Sequence, residues 1–260
     1  MTVSESRVWH LIQITDCHLA ETIGPVIRGV DPDATLALVT EIIKTYRPDY
    51  CLATGDLSDD GSVESYERLA DHLRTLDLPV ACLPGNHDDP GVMLRVLPGG
   101  NIGMPEAIEL RDWQIILLDS TVPGRCSGHL SDVSLSGLSA RLHIDLERHR
   151  LIALHHPVLP NGCAWLDSEM TLDNPDALHD VIRRFASVRG LIWGHIHQDF
   201  HEQAHGLPCW GTPATSVQFQ PGSRALRIDE RSPGFRHLWL HPDGRIVSRV
   251  ERLWEGKWRR

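Results

Sequence analysis

The chain reads as an α/β protein on three observations. First, over most of its length short apolar runs alternate with stretches whose apolar residues recur at helical spacing, the pattern of parallel βαβ units with right-handed crossovers. Second, five of these runs stop abruptly in Gly, Asp, Asn or His. Third, the last quarter abandons helical spacing for short strands separated by turns.

Residues 8–15 alternate around Trp9, Leu11, Ile12 and Ile14 and predict a strand ending at Asp16-Cys17-His18. Asp31-Pro32 then opens a helix, since Asp accepts from free first-turn amides and the fixed φ of Pro suits the first helical position. Leu36, Val39 and Ile43 form its apolar face, and Pro48 bounds it. Residues 50–54 predict a second strand ending at Gly55-Asp56. A helix from about Ser62 follows, with Val63, Tyr66, Leu69, Ala70, Leu73 and Leu76 on one face. The third strand, residues 80–83, runs into Pro84-Gly85-Asn86-His87-Asp88-Asp89, where Gly85 is expected to allow a turn that a Cβ would strain.

Residues 113–119 predict the next strand, and Leu135, Leu138 and Leu142 the next helix. A strand over 151–154 ends at His155-His156. Asn174-Pro175 caps a helix carrying Leu178, Val181, Ile182 and Phe185, and a strand over 191–193 ends at Gly194-His195-Ile196-His197. Short antiparallel strands are expected at 208–210, 225–228, 235–240 and 245–250, with Asp243-Gly244 as the hairpin turn between the last two. No linker, repeat or low-complexity stretch interrupts the chain, so residues 1–260 are expected to form one domain.

Composition narrows the function. No run of about 18 apolar residues exists to span a membrane, and the first residues lack the basic-then-apolar order of a secretory signal, so a cytoplasmic protein is expected. Six cysteines without a C-x-x-C pair read as reduced thiols. A net charge of −10 argues against non-specific nucleic-acid binding. An anionic substrate would then need local positive charge, and bound metal ions are the obvious source. The terminal basic cluster Arg249, Arg252, Lys257, Arg259 and Arg260 reads as a solvated tail.

Histidine is abundant, at 16 residues. An Asp or His at one strand end is ordinarily a cap, a turn residue or a satisfied polar group. Here Asp16/His18, Gly55-Asp56, Gly85-Asn86-His87-Asp88, His155-His156 and Gly194-His195-Ile196-His197 all fall at the carboxyl ends of strands, where open α/β sheets build their sites. Imidazole, carboxylate and amide oxygen together favour Mn²⁺, Fe²⁺ or Zn²⁺ over a thiolate-bound metal. The candidates exceed one ion's needs and suit two ions about 3.5–4 Å apart sharing a carboxylate.

In this order D-x-H, G-D, G-N-H-D, H and G-H-x-H resemble the calcineurin-like metallophosphoesterase superfamily. Within it the chain resembles the bacterial class III 3′,5′-cyclic-AMP phosphodiesterases, through Gln13 to Asp16, Ala53 to Leu57, PNGCAWLD at 160–167 and TPATSVQF at 212–219. The resemblance implies a four-layer α/β/β/α sandwich of two mixed sheets. It implies one ion on Asp16, His18 and His197, a second on Asn86, His155 and His195, and Asp56 bridging both. Fe²⁺ or Mn²⁺ would fill these positions, with Zn²⁺ as the alternative. His87 is left off the metals, facing the substrate phosphate, and His156 stands behind the ligand His155. Where protein Ser/Thr phosphatases place a phosphate-clamping Arg the chain has Asp60, and where purple acid phosphatases place a metal-binding Tyr it has Asp59. The Asp59-Asp60 pair reads as a solvated loop.

The expected reaction is hydrolysis of 3′,5′-cyclic AMP to 5′-AMP by a metal-bridging hydroxide. Asp16, Asp56 and the hydroxide would leave two divalent ions at about +1, suited to a singly charged diester. Asn86, His87 and His197 would contact the phosphate, with Asn86 and His87 stabilising its developing charge, and His87 would protonate the leaving oxygen. Trp165, isolated in the segment after His155, is either a buried anchor or a surface stacked on the purine. A broader phosphodiesterase or phosphatase acting on 2′,3′-cyclic nucleotides, and a metal-bound regulatory protein without turnover, are the competing readings. A homodimer is an open alternative to a monomer.

Overall fold

The computed structural model describes residues 7–24 and 29–253. Two six-stranded mixed sheets face each other. The first has the order β12-β11-β1-β2-β3-β4, from Ile246–Arg252, Gly234–Leu240, Trp9–Ile14, Tyr50–Thr54, Val80–Leu83 and Ile102–Gly103. The second runs β5-β6-β7-β8-β10-β9, from Ala107–Glu109, Trp113–Leu117, His149–Ala153, Val188–Trp193, Leu207–Gly211 and Phe200–Ala204. β1, β2, β3 and β4 are parallel, as are β6, β7, β8 and β10, and antiparallel strands close the remaining edges.

Alternate strand residues serve two cores, because side chains on a strand point to opposite faces. Leu11, Leu52, Leu83, Ile115, Leu151, Ile192, Trp210 and Leu238 pack between the sheets. Ile12, Ile14, Cys51, Ala53 and Cys82 face outward to Leu36, Val39 and Ile43 of α1 (Pro32–Tyr46) and to Leu69 and Leu73 of α2 (Val63–Arg74). Leu138 and Leu142 of α4 (Asp132–His143) and Leu178 and Ile182 of α6 (Pro175–Ile182) back the other sheet. This is the expected arrangement of helix, sheet, sheet and helix.

The predicted cap forms at Asp31, whose Oδ1 accepts from the Ala34 amide at 3.1 Å, and Ser62, expected only as an approximate helix start, also caps its helix by accepting from the Ser65 amide. Asp89-Pro90 repeats the Asp-Pro start and opens α3 (Pro90–Val96), a helix too short to be noticed by spacing. Four expectations need correction. Asn174 caps nothing with its side chain, which instead exchanges hydrogen bonds with Leu130 (3.0 and 2.8 Å). Residues 225–228 form no strand beyond an isolated bridge between Phe219 and Ile228. β10 runs parallel to β8 and antiparallel only to β9, whose exposed polar residues hid it. In the basic cluster Arg249 and Arg252 belong to β12, and Arg252 donates to Gln218 Oε1 (2.9 Å) and Ser232 O (2.7 Å); Lys257, Arg259 and Arg260 lie outside the described residues.

A buried polar joint fixes the two sheets at one end. Gln13 on β1 donates to Thr54 Oγ1 (2.9 Å) and to Trp193 O on β8 (3.1 Å), and accepts from Thr212 Oγ1 (2.6 Å). Arg236 on β11 donates to that same hydroxyl, to Gly211 O and to Asp199. Such a joint is unforgiving inside a low-dielectric core and holds the carboxyl ends of β1, β2 and β8 in one register. Among the described residues no helix is long and apolar enough to cross a membrane.

Candidate metal centre

The five polar strand ends converge at that joined edge. Asp16, His18 and His197 bring ligand atoms within 4.8 Å of one another, as do Asp56, His155 and His195. Asp56 stands between the two groups. Its Oδ1 is 3.3 Å from His155 Nε2 and its Oδ2 is 3.8 Å from His18 Nε2, so one oxygen faces each side. His197 Nε2 lies 3.2 Å from Asp16 Oδ1 and 3.3 Å from His18 Nε2. All six of these side chains are buried.

The donor set is arranged for cations. His155 Nδ1 donates to Thr54 O at 2.9 Å and His197 Nδ1 to Val217 O at 2.7 Å. With Nδ1 engaged in this way, each ring turns its Nε2 toward the centre, facing carboxylates and other imidazoles. Imidazole nitrogens and carboxylate oxygens gathered this closely could hold metal ions. Two further buried atoms, Asn86 Oδ1 and His195 Nε2, have no hydrogen-bond partner. A buried orphan of this kind normally calls for a ligand or an ion. The residues present fit two divalent metal ions.

The backbone is bent to make this possible. Asp16, His18, Asp56, His195 and His197 all have φ between 50° and 66°, the left-handed region that costs a residue with a Cβ on the order of 1 kcal/mol or more. The strain turns successive side chains inward from the strand ends. Gly85 is not in that region, so the expectation of a strained turn fails there. Its requirement is space, because a Cβ would lie 2.2 Å from Asp56 Oδ1. Gly194 is alike, with a Cβ 2.0 Å from Thr15 Oγ1.

Burial alone would protonate Asp56, yet the His155 imidazole holds its carboxyl well below the usual range. Reciprocally, burial opposes a charge on His155, but Asp56 overrides it and lifts that imidazole to about 9. Burial and then the neighbouring His155 charge push His156 down to about 3, so it stays neutral behind the site with Nδ1 2.8 Å from Ser120 Oγ. Cys17, between two ligand candidates, is inert as its thiol is pushed up to about 12 by burial.

His87 occupies the mouth with its side chain 42% exposed; its Nδ1 donates to Asp59 O (3.0 Å), and its amide donates to Asp56 Oδ1 (2.9 Å). Asp59 corrects the solvated-loop reading, because its Oδ1 is 2.9 Å from His18 Nδ1. Asp60 also works locally, accepting from the Glu21 amide (2.7 Å) and Ser62 Oγ (2.6 Å). Sequence reasoning placed Asp88 in the third cluster but gave it no role; its partly buried carboxylate collects the amides of Leu57, Ser58 and Gly85 and the Tyr66 hydroxyl. It pins the β2 and β3 loops together; burial and then Asp56 push its own pKa up to about 6.

Beside the cluster opens a cavity of about 540 Å³. Its floor is His18, Asp56, Asn86, His195 and His197, and its wall is Trp165, Met170, Val217, Phe219 and Leu226. Trp165 is anchored without leaving the cavity wall. It is half-buried, its Nε1 donates to Ser223 Oγ at 3.2 Å, and it still lines the cavity.

Two facing mixed sheets with paired His/Asp groups at their carboxyl edge define a metallophosphoesterase, and the chain belongs to the calcineurin-like phosphoesterase family, whose model matches residues 10–199. Members are hydrolases that hold two divalent metal ions. The chain is 42% identical over 258 residues to the 3′,5′-cyclic adenosine monophosphate phosphodiesterase CpdA of Vibrio vulnificus, covering 98% of this chain and 93% of the relative. It is 37% identical to the Pseudomonas aeruginosa protein of the same name, over 94% of this chain and 89% of that one. A 3′,5′-cyclic-nucleotide phosphodiesterase of Nostoc is 38% identical, covering 94% and 92%. Among solved structures, a dimetal phosphatase from Danio rerio shares the fold, with a TM-score of 0.65 at 17% identity, covering 94% of this chain and 98% of that one.

Proposed function

We propose that this protein hydrolyses 3′,5′-cyclic AMP to 5′-AMP. The observation that carries the reading is Asp56, with one carboxylate oxygen turned to each ligand group beside a cavity that has an apolar wall. Asp16, His18 and His197 would hold one ion, Asn86, His155 and His195 the other, and Asp56 both, with Mn²⁺ or Fe²⁺ preferred and Zn²⁺ the alternative. When bound, the pair supplies Lewis-acid stabilisation of phosphoryl charge and an acidified water for in-line attack on phosphorus.

The chain's own groups complete the chemistry. Asn86 and His197 border the phosphate, and His87 reaches it from the mouth. As the P–O3′ bond breaks, imidazolium His87 gives its proton to the ribose 3′ oxygen while the water oxygen joins phosphorus. His87 Nδ1 is engaged with Asp59 O, which leaves Nε2 to face the substrate. No Lys or Arg lines the cavity among the described residues, which supports a singly charged diester over a dianionic monoester. Trp165 would carry the purine on its open face. The free thiols of all six cysteines support a cytoplasmic setting.

The test is kcat/KM after reconstitution with Mn²⁺, using 3′,5′-cyclic AMP, 2′,3′-cyclic AMP, bis(p-nitrophenyl) phosphate and p-nitrophenyl phosphate. The 3′,5′-cyclic nucleotide should lead. A preference for the 2′,3′ isomer or for the monoester would replace this reading with the broader phosphodiesterase or phosphatase.

A further inference from the structure

The imidazoles around Asp56 are not all positioned alike. His18 and His155 are gripped at Nδ1 by Asp59 and by Thr54 O, groups that follow or end β2. His197 relies on residues 212–219, the segment that leaves β10. Val217 O accepts from its Nδ1 at 2.7 Å. The Phe219 ring lies flat on its face, with centroids 4.0 Å apart and planes 12° apart. The same phenyl ring meets Trp165 edge-on, at 5.1 Å and 75°, and lines the cavity with it. Nearby bonds of the segment run to the same side of the site, from the Thr215 amide to Thr15 O (3.0 Å) and from Ser216 Oγ to Asp16 O (2.7 Å).

We infer that Phe219 is a positioning residue that sets the plane of His197, and through it the affinity of the ion at the Asp16–His18–His197 position, while leaving the other ion largely untouched. The inference rests on the ligand set proposed above. One hydrogen bond at Nδ1 fixes a point on the imidazole but leaves the ring free to roll about that bond, because carbonyl acceptors tolerate a broad range of directions. A parallel ring on the face removes the roll, so that Nε2 stays aimed at the centre. An imidazole that gives its lone pair to a cation also becomes electron-poor, and the electron-rich face of a phenyl ring favours that form. Groups that orient a metal ligand in this way typically change metal affinity by about 10–100-fold.

The experiment uses the full chain and Mn²⁺ alone, reading two binding steps by calorimetry, with elemental analysis for stoichiometry. Phe219→Leu keeps apolar volume but has no flat ring. It should bind one Mn²⁺ as the wild type does and the other about 10–100-fold more weakly. Phe219→Tyr, which keeps the ring, should recover the weakened ion. If Phe219→Leu does not fold, Phe219→Met, equally without a flat ring, takes its place. Unchanged binding of both ions, equal weakening of both, or no recovery in Phe219→Tyr would overturn the inference. Wild-type protein that binds a single ion would instead fell the ligand set, and the inference with it, a result distinct from two tight wild-type sites that Phe219→Leu leaves alone.

Discussion

Asp59 Oδ1 lies 2.9 Å from His18 Nδ1, and the backbone carbonyl of the same residue accepts from His87 Nδ1 at 3.0 Å. One residue thus orients a proposed metal ligand with its side chain and the proposed acid with its main chain. Asp59→Ala should lower Mn²⁺ affinity by about 10–100-fold, the usual effect of removing a group that orients a ligand. Asp59→Asn keeps an acceptor oxygen and should lose less. Equal affinity in wild type and Asp59→Ala, measured by titration calorimetry, would return Asp59 to the solvated loop.

His87 also brings a ligand atom within 4.8 Å of those of His18 and Asp56, and its Nδ1 lies 3.6 Å from Asp59 Oδ1, but it is the exposed member of that group and is proposed to stand off the metals. His87→Ala should keep both metals and lose about 10²–10⁴-fold in rate on cyclic AMP, the range of a positioned acid or base. The defect should shrink on p-nitrophenyl diesters, whose leaving group needs no proton. A uniform loss would assign His87 to phosphate charge alone, and loss of a metal in elemental analysis would make it a ligand.

Trp165→Ala should reduce kcat/KM for cyclic AMP more than for a small synthetic diester. Base–aromatic stacking is worth about 1–3 kcal/mol in nucleic-acid-binding proteins, so a 5- to 150-fold difference between the two substrates is the order expected. Equal losses on both would leave Trp165 as an anchor for Ser223 and Phe219.

Stability should fall in acid partly through His237, far from the site. Burial holds its pKa down to about 4 against the pull of Glu251. His10 on β1, Tyr46 on α1, and Arg249 and Glu251 on β12 surround it. The unfolded chain titrates this group near 6.5, so it binds more protons than the folded one between those values. Stability is therefore retained above about 6.5 and drops as the pH falls toward 4, by up to about 3 kcal/mol from this group. Urea unfolding at several pH values should show a shallower acid slope for His237→Phe than for wild type. Parallel slopes would reject the assignment.

The proposed ligands were legible in the sequence because parallel strands leave their chemistry at their own carboxyl ends, next to recognisable apolar runs. Asp16, Asp56, Asn86, His155, His195 and His197 each announce themselves within a few residues of such a run. The helix starts at Asp31 and Ser62 were equally local, since a cap is a bond across three residues. What the sequence could not express was any role set by a distant partner. The acceptor that orients His197 is the carbonyl of Val217, and a carbonyl has no side-chain signature. Asp59 and Asp60 look alike as letters, yet only the first lands beside His18, from another strand end. Gly85 was flagged for a turn, and only the packed structure reveals that Asp56 occupies the space of its missing Cβ. Local sequence determined which groups stand at the sheet edge; the pairing of the two sheets, through Gln13, Thr212 and Arg236, decided which of them meet, because that meeting depends on contacts between residues up to 199 positions apart.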